Sequence, residues 1–180
     1  LMEATHGPHL RRELHHGRVV ACHAARPADV FAMFAHAARR APGSTAVVDG
    51  AHRWTYAMLA ARIERCAARL AALGLGAGDR IGILLDNRAD YLTVLLAAAR
   101  SGVIAVPMNI RQRAPETAYA LADSDAAAVI FEQGLAGELP PQADLPRVRH
   151  WLPYPAEAAH WDGPHDLPDL PERSAAQEDD

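Results

Sequence analysis

Gly78-Asp79-Arg80-Ile81-Gly82-Ile83-Leu84-Leu85 opens the stretch that decides the fold, which continues through Ala89–Arg100 and closes on Gly102-Val103-Ile104-Ala105-Val106-Pro107. Arg80–Leu85 is a short apolar run of strand length, and Val103–Val106 is another, ending at a proline that cannot donate to a ladder. Between them Ala89–Arg100 is nearly all apolar and long enough for a helix. The apolar segment Tyr91–Met108 is broken by Arg100, Ser101 and Gly102, so it divides into a helix and a strand, each too short to cross a bilayer. No integral membrane segment is expected. Two strands buried on both faces and joined by a helix require parallel pairing with a right-handed crossover.

The alternation continues on both sides. Pro115 opens a helix at its first turn, where a missing N–H costs nothing, and that helix ends near Asp123-Ser124-Asp125. Ala127–Phe131 is a third strand-like run and Arg147–Leu152 a fourth. Upstream, Tyr56, Leu59, Ile63, Cys66, Leu70 and Leu73 mark one buried stripe of a helix over Tyr56–Leu73, with Arg62, Glu64, Arg65 and Arg69 mainly off it. Thr55 is its expected N-cap, and Gly74 stands where a residue of positive φ must end it. A further helix is expected over Asp29–Arg40, stopped by Pro42-Gly43, and a hairpin over Thr45–Asp49 and Arg53–Thr55. Residues 1–26 show no sustained period. The expectation is therefore an α/β fold, a mostly parallel sheet with helices on both faces. It divides into an extended lead-in at 1–26, an α/β subdomain at 27–152 and a Pro/Asp-rich connector at 153–180. Eight of the thirteen prolines lie between Pro140 and Pro171, and the chain ends on the acidic Gln177-Glu178-Asp179-Asp180. That ending, with a start at Leu1 ahead of Met2, is expected of a piece leading to something further.

A hydrophobic share of 50% against 22% charged allows a real core in 180 residues and excludes a disordered chain. The net charge of -4 and the scattered arginines offer no basic field for nucleic acid. Leu1–His16 carries no apolar core of a secretory leader, and Cys22 and Cys66 form no CxxC pair, so a soluble protein of a reducing cytoplasm is expected. Cys66 reads as a buried, inert thiol.

Few residues announce chemistry. Gly74-Leu75-Gly76-Ala77-Gly78 follows a helix and precedes a strand, the reverse of a dinucleotide fingerprint, so these glycines end a helix and turn the chain. No GxxxxGK[ST] phosphate loop occurs, and the chain contains no lysine. His6, His9, His15, His16 and His23 crowd the N-terminal segment, but their spacing matches neither HExxH nor a Cys/His zinc pattern, and no metal site is expected. GxSxG is absent, and His52, His150, His160 and His165 face no recognisable nucleophile motif, so no catalytic residue is assigned. Arg111 is different, because ligands of open α/β sheets bind beyond the carboxyl ends of strands. Following Pro107-Met108-Asn109-Ile110, it is either free to meet a phosphate or carboxylate, or a solvated loop arginine beside Arg113.

Five blocks together resemble a known superfamily. Trp54-Thr55-Tyr56-Ala57-Met58-Leu59 resembles the T-Y-x-E-L block of adenylate-forming enzymes, and Gly78-Asp79-Arg80-Ile81-Gly82-Ile83 their G-D-R-V-A-I strand. Asn87-Arg88-Ala89-Asp90-Tyr91 resembles N-x-x-[DE]-[FY], and Ala99–Asn109 resembles R-x-G-A-V-x-V-P-L-N. Glu116–Ser124, with Tyr119 and Asp123, resembles E-x-x-Y-x-L-x-D-S. The order and separations hold over residues 30–131, and the V-P-x-N-x-R spelling is closer to acyl- and aryl-CoA synthetases than to nonribosomal modules. Two departures stand out. Met58 replaces the usual acid, so Thr55 lacks a capping-box partner, and the S/T-G-T-T-G-x-P-K-G phosphate loop is missing.

The resemblance implies the first subdomain of an adenylate-forming N-terminal domain, whose partners are the remaining subdomains. It implies an intact parent that uses ATP, Mg²⁺ and CoA to convert a carboxylic acid to an acyl-adenylate and then to an acyl-CoA. It also implies that Arg111 lies near the pantetheine channel as a contact for a CoA phosphate. The piece alone is expected to bind no cofactor and to be inactive. The competing expectation is a naturally short, non-enzymatic homologue serving as a binding or scaffold module.

Overall fold

The computed structural model describes residues 10–154. The described residues begin with an antiparallel hairpin, β1 (Leu10–His15) and β2 (Arg18–His23). Its two-residue turn puts His16 at φ 47° and Gly17 at φ 78°, the left-handed pair that suits the strands' twist. The sequence shows no period here because neither face is uniformly apolar. Leu10, Arg12 and Leu14 share one face, and Arg11, Glu13 and His15 the other.

Helix α1 (Val30–Arg40) starts at Asp29, whose carboxylate accepts the Ala32 N–H at 2.7 Å, and buries Phe34 against the ring of Tyr56. A second hairpin, β3 (Thr45–Asp49) and β4 (His52–Thr55), leads directly into α2 (Tyr56–Ala72). Thr55 caps α2 by accepting the Met58 N–H at 3.2 Å, and Gly74 follows its end at φ 70°. The stripe Leu59, Ile63, Cys66 and Leu70 is buried as expected. Arg62 corrects the sequence expectation. It is 5% exposed, and its guanidinium lies 4.0 Å from the Trp54 ring centroid, so an aromatic face draws the cation inward.

Four strands, β5 (Arg80–Leu84), β6 (Ile104–Pro107), β7 (Ala128–Glu132) and β8 (His150–Tyr154), form a wholly parallel sheet in the order β6-β5-β7-β8. Helix α3 (Ala89–Ser101) connects β5 to β6, and α4 (Ala114–Asp123) connects β6 to β7. Short 3₁₀ turns at Gln133–Glu138 and Gln142–Asp144 connect β7 to β8.

Alternation along the strands sends Ile81, Ile83, Ala128, Ile130 and Leu152 into a core shared with α2 and α3. Leu84, Val129 and Phe131 face the opposite way, onto Leu121 of α4 and Met108. The α/β expectation holds, with helices on both faces. The sequence also expects β6 to be buried on both faces, and the structure corrects that. β6 is an edge strand with Ile104 51% exposed, because β5 is its sole strand neighbour among the described residues.

Candidate active-site edge

The strands' carboxyl ends form one edge of the sheet, and two strand exits there carry charge. Beyond β5 the chain passes Asp86 and Asn87 to Arg88, the residue before α3. Asp86 donates its N–H to Glu132 Oε1 at 3.2 Å, and Arg88 Nε stands 3.1 Å from the same oxygen. The Arg88 guanidinium also lies 5.1 Å from the Tyr154 ring centroid. One residue on, the Ala89 N–H donates to Asp49 Oδ2 at 2.9 Å, which brings a carboxylate to the positive end of α3. Asp90 is buried, and the Tyr154 hydroxyl donates to its Oδ2 at 2.5 Å.

Burial raises the Asp90 carboxyl above its ordinary pKa, although the Tyr154 hydrogen bond and the charges of Arg62 and Arg88 pull the other way. Burial and the Asp90 contact likewise raise the Tyr154 hydroxyl. A depression of about 260 Å³ between β3 and the start of α3, lined by Asp49, Asn87 and Arg88, opens beside this network. Asp49, Asp90, Glu132 and Tyr154 are spread through the sequence, and only the resembled N-x-x-[DE]-[FY] block touches the network. Sequence reading alone does not bring it together.

The β6 exit is built differently. Met108 donates its N–H to Ile83 O at 3.0 Å and is buried under α4. Asn109 folds back, its Oδ1 accepting the Arg111 N–H at 3.0 Å while its carbonyl accepts the Gln112 N–H at 2.9 Å. This turn holds the backbone of Arg111 while its exposed guanidinium makes no ion pair or hydrogen bond among the described residues. Its neighbour Arg113 is committed elsewhere, with Nη1 at 2.5 Å from Glu138 Oε1. A guanidinium presented on a fixed turn can grip an anionic oxygen with two N–H groups, but it supplies neither nucleophile nor base.

Of the other residues singled out by sequence, Cys66 lies on α2 within electrostatic reach of Asp90. Cys66 is 2% exposed, and burial pushes its thiol up to about 12, which makes it unreactive. The glycines between α2 and β5 turn the chain, with Gly78 at φ 87° and Asp79 Oδ2 accepting the Gly76 N–H at 2.9 Å. His15, His16 and His23 belong to the first hairpin, while His6, His9, His160, His165 and all of the connector after Tyr154 lie outside the described residues. Among the described residues no helix is long and apolar enough to cross a membrane.

Comparison with known proteins agrees with this geometry. A long-chain-fatty-acid–CoA ligase of Mycobacterium tuberculosis is 33% identical over 126 residues, covering 70% of this chain and 24% of that protein. A feruloyl-CoA synthase of Amycolatopsis is 43% identical over 93 residues, covering 52% of this chain and 19% of that protein. The inhibitor-bound N-terminal domain of FACL13 from Mycobacterium tuberculosis superposes with a TM-score of 0.65 at 32% identity, covering 69% of this chain and 33% of that one. The chain thus spans about a quarter or less of the curated relatives it matches. The family described as AMP-binding enzyme matches residues 34–180, and the chain belongs to that family.

Proposed function

We propose that this chain is the N-terminal part of an AMP-forming carboxylic acid–CoA ligase. In the first half-reaction a carboxylate oxygen attacks the α-phosphorus of ATP, forming an acyl-adenylate and releasing pyrophosphate. In the second the CoA thiol attacks the acyl carbon, giving acyl-CoA and AMP. The activated anhydride replaces one unfavourable acylation with two easier steps. The supporting observation is kinship to acyl- and aryl-CoA ligases along a parallel sheet whose edge strand leaves through Val106-Pro107-Met108-Asn109-Ile110-Arg111.

Among the described residues none fits ATP or Mg²⁺. The glycine-rich run follows α2 and leads into a strand, no lysine exists to face a triphosphate, and Glu132 and Asp90 are engaged by Arg88 and Tyr154. On this reading both ligands are held outside the described residues, and residues 1–180 alone are expected to form no adenylate. Among the described residues Arg111 is the group that fits a substrate, as a contact for a phosphate of CoA. Pyrophosphate–ATP exchange tests the proposal. The chain extended through the rest of its gene should exchange label in the presence of a fatty or aryl acid, and residues 1–180 should not. Exchange by the short chain, or none by the extended chain with any acid, would overturn it.

A further inference from the structure

Outside the sheet edge, the first hairpin gathers three side chains of metal-ligating type. Pairing of Arg11 with Cys22, Glu13 with Val20 and His15 with Arg18 places residues 11, 13, 15, 18, 20 and 22 on one face. His15 Nε2 lies 3.0 Å from Glu13 Oε2 and 3.7 Å from Cys22 Sγ, and the three ligand atoms all fall within 4.8 Å of one another. A tetrahedral ion with bonds of about 2.0–2.3 Å holds its ligand atoms roughly 3.3–3.7 Å apart, so small rotations complete three corners of that figure. Linear spacing conceals the set, since Glu13-x-His15-x₆-Cys22 matches no zinc pattern. The I′ turn at His16-Gly17 creates it.

A cation already occupies this place. Arg26 donates to both oxygens of Glu13, at 2.8 and 2.6 Å, and Arg11 donates to Oε1 as well. Arg26 also faces Cys22, and its charge is reinforced by both partners. Its side chain remains 37% exposed and reaches the His23 carbonyl at 3.3 Å, so it has somewhere to go if displaced. Imidazole, thiolate and carboxylate together suit a borderline-soft divalent ion rather than Mg²⁺ or Ca²⁺.

We propose that Glu13, His15 and Cys22 form a site for a Zn²⁺-class ion, for which Arg26 is the resident placeholder. On binding, the Cys22 thiol releases its proton to solvent, Arg26 leaves Glu13, and water fills the fourth position. This site is independent of the ligase chemistry.

Cobalt(II) titration of the reduced, untagged chain is the test. The wild type should bind one equivalent with a thiolate-to-cobalt charge-transfer band and the intense visible bands of tetrahedral cobalt, both removed by zinc. Cys22→Ser should abolish the charge-transfer band, and His15→Ala should weaken binding about tenfold or more. Arg26→Ala should tighten binding, which a purely structural Glu13–Arg26 pair would not produce. His36→Ala and Cys66→Ser should change nothing, and circular dichroism checks that each variant folds. Absence of the band, its survival in Cys22→Ser, no tightening in Arg26→Ala, or binding lost only with His6→Ala and His9→Ala would overturn the proposal.

Discussion

Strands β5 and β6 are parallel neighbours, with Gly82 opposite Val106 and Ile83 opposite Pro107, yet they are built to different ends. Ile81, Ile83 and Leu84 of β5 are completely buried, and at its exit Asp86 and Arg88 both meet Glu132. β6 leaves Ile104 exposed, and the chain beyond it presents the Arg111 guanidinium without a partner among the described residues. Charges that satisfy one another at β5 hold strands and helix together. A charge held by its backbone alone, as at β6, is available to a ligand. Substitutions on β5 should therefore change stability and leave chemistry alone, and substitutions beyond β6 should do the reverse.

The largest expected effect is on β5. A Cβ at Gly82 would lie 2.7 Å from Leu121 Cδ2, 3.2 Å from Met108 Cε and 3.3 Å from Val129 Cγ2. α4 packs this closely on the sheet because position 82 has no side chain. Gly82→Val must push Leu121 away from a site where it is 1% exposed, at a cost near the top of the usual overpacking range, about 3 kcal/mol. Urea unfolding measures this, and a loss below about 0.5 kcal/mol would mean that α4 sits loosely on the sheet.

Beyond β6 the expected effect is of binding. In the full-length ligase, Arg111→Ala should raise the Michaelis constant for CoA ten- to a hundredfold, the loss of a charge-assisted hydrogen bond of about 1.5–3 kcal/mol. Adenylate formation and unfolding of the chain should stay unchanged. Arg111→Lys should recover part of the loss, since an ammonium keeps the charge without the fork. Equal losses in both half-reactions would make Arg111 structural and remove the distinction between the exits.

Asp90 sharpens the contrast through pH. Its folded pKa is raised, chiefly by burial, so the unfolded chain releases this proton first as pH rises. Its stabilising contribution is fully present below the ordinary Asp value near about 4 and is lost as pH climbs through the folded value. Asp90→Asn cannot ionise and keeps an acceptor for Tyr154. Relative to that variant, the wild type should lose stability steadily upward from about pH 4 in urea unfolding. A wild type that gains relative stability over that range would show that Arg62 and Arg88 outweigh burial.

What was legible in the sequence follows the same division. The stripe of α2, the cap at Asp29, the positive φ of Gly74 and the apolar run of β5 are local patterns, and each reappears in the structure. The position of β6 at the edge depends on strand order, which no run of residues encodes, so Val103–Val106 looked as buried as Arg80–Leu85. Arg62 looked solvent-facing because Trp54 belongs to the preceding hairpin. The Arg88–Glu132 and Asp90–Tyr154 contacts join residues 44 and 64 positions apart, beyond the reach of periodicity. Glu13, His15 and Cys22 likewise meet only once the first hairpin closes.

The smallest effect compares the starts of two helices. Before α4, which follows β6, Glu116 at the third position reaches back to accept the Arg113 N–H at 2.9 Å. Before α2, Thr55 accepts the Met58 N–H, but the third position is Met58 itself, 45% exposed and unable to return a hydrogen bond. Met58→Glu places a carboxylate at the positive end of a seventeen-residue helix with room to reach the Thr55 N–H. The side chain it replaces covers little core, so little packing is lost. The expected gain is about 0.5–1 kcal/mol in urea unfolding, largest at low salt and falling as salt screens the helix terminus. Met58→Gln keeps the hydrogen-bonding shape without the charge and should retain only the part of the gain that is insensitive to salt. A loss in both variants would mean that Met58 packs against the body of the protein despite its exposure, and the start of α2 would then be fixed by contact rather than by its cap.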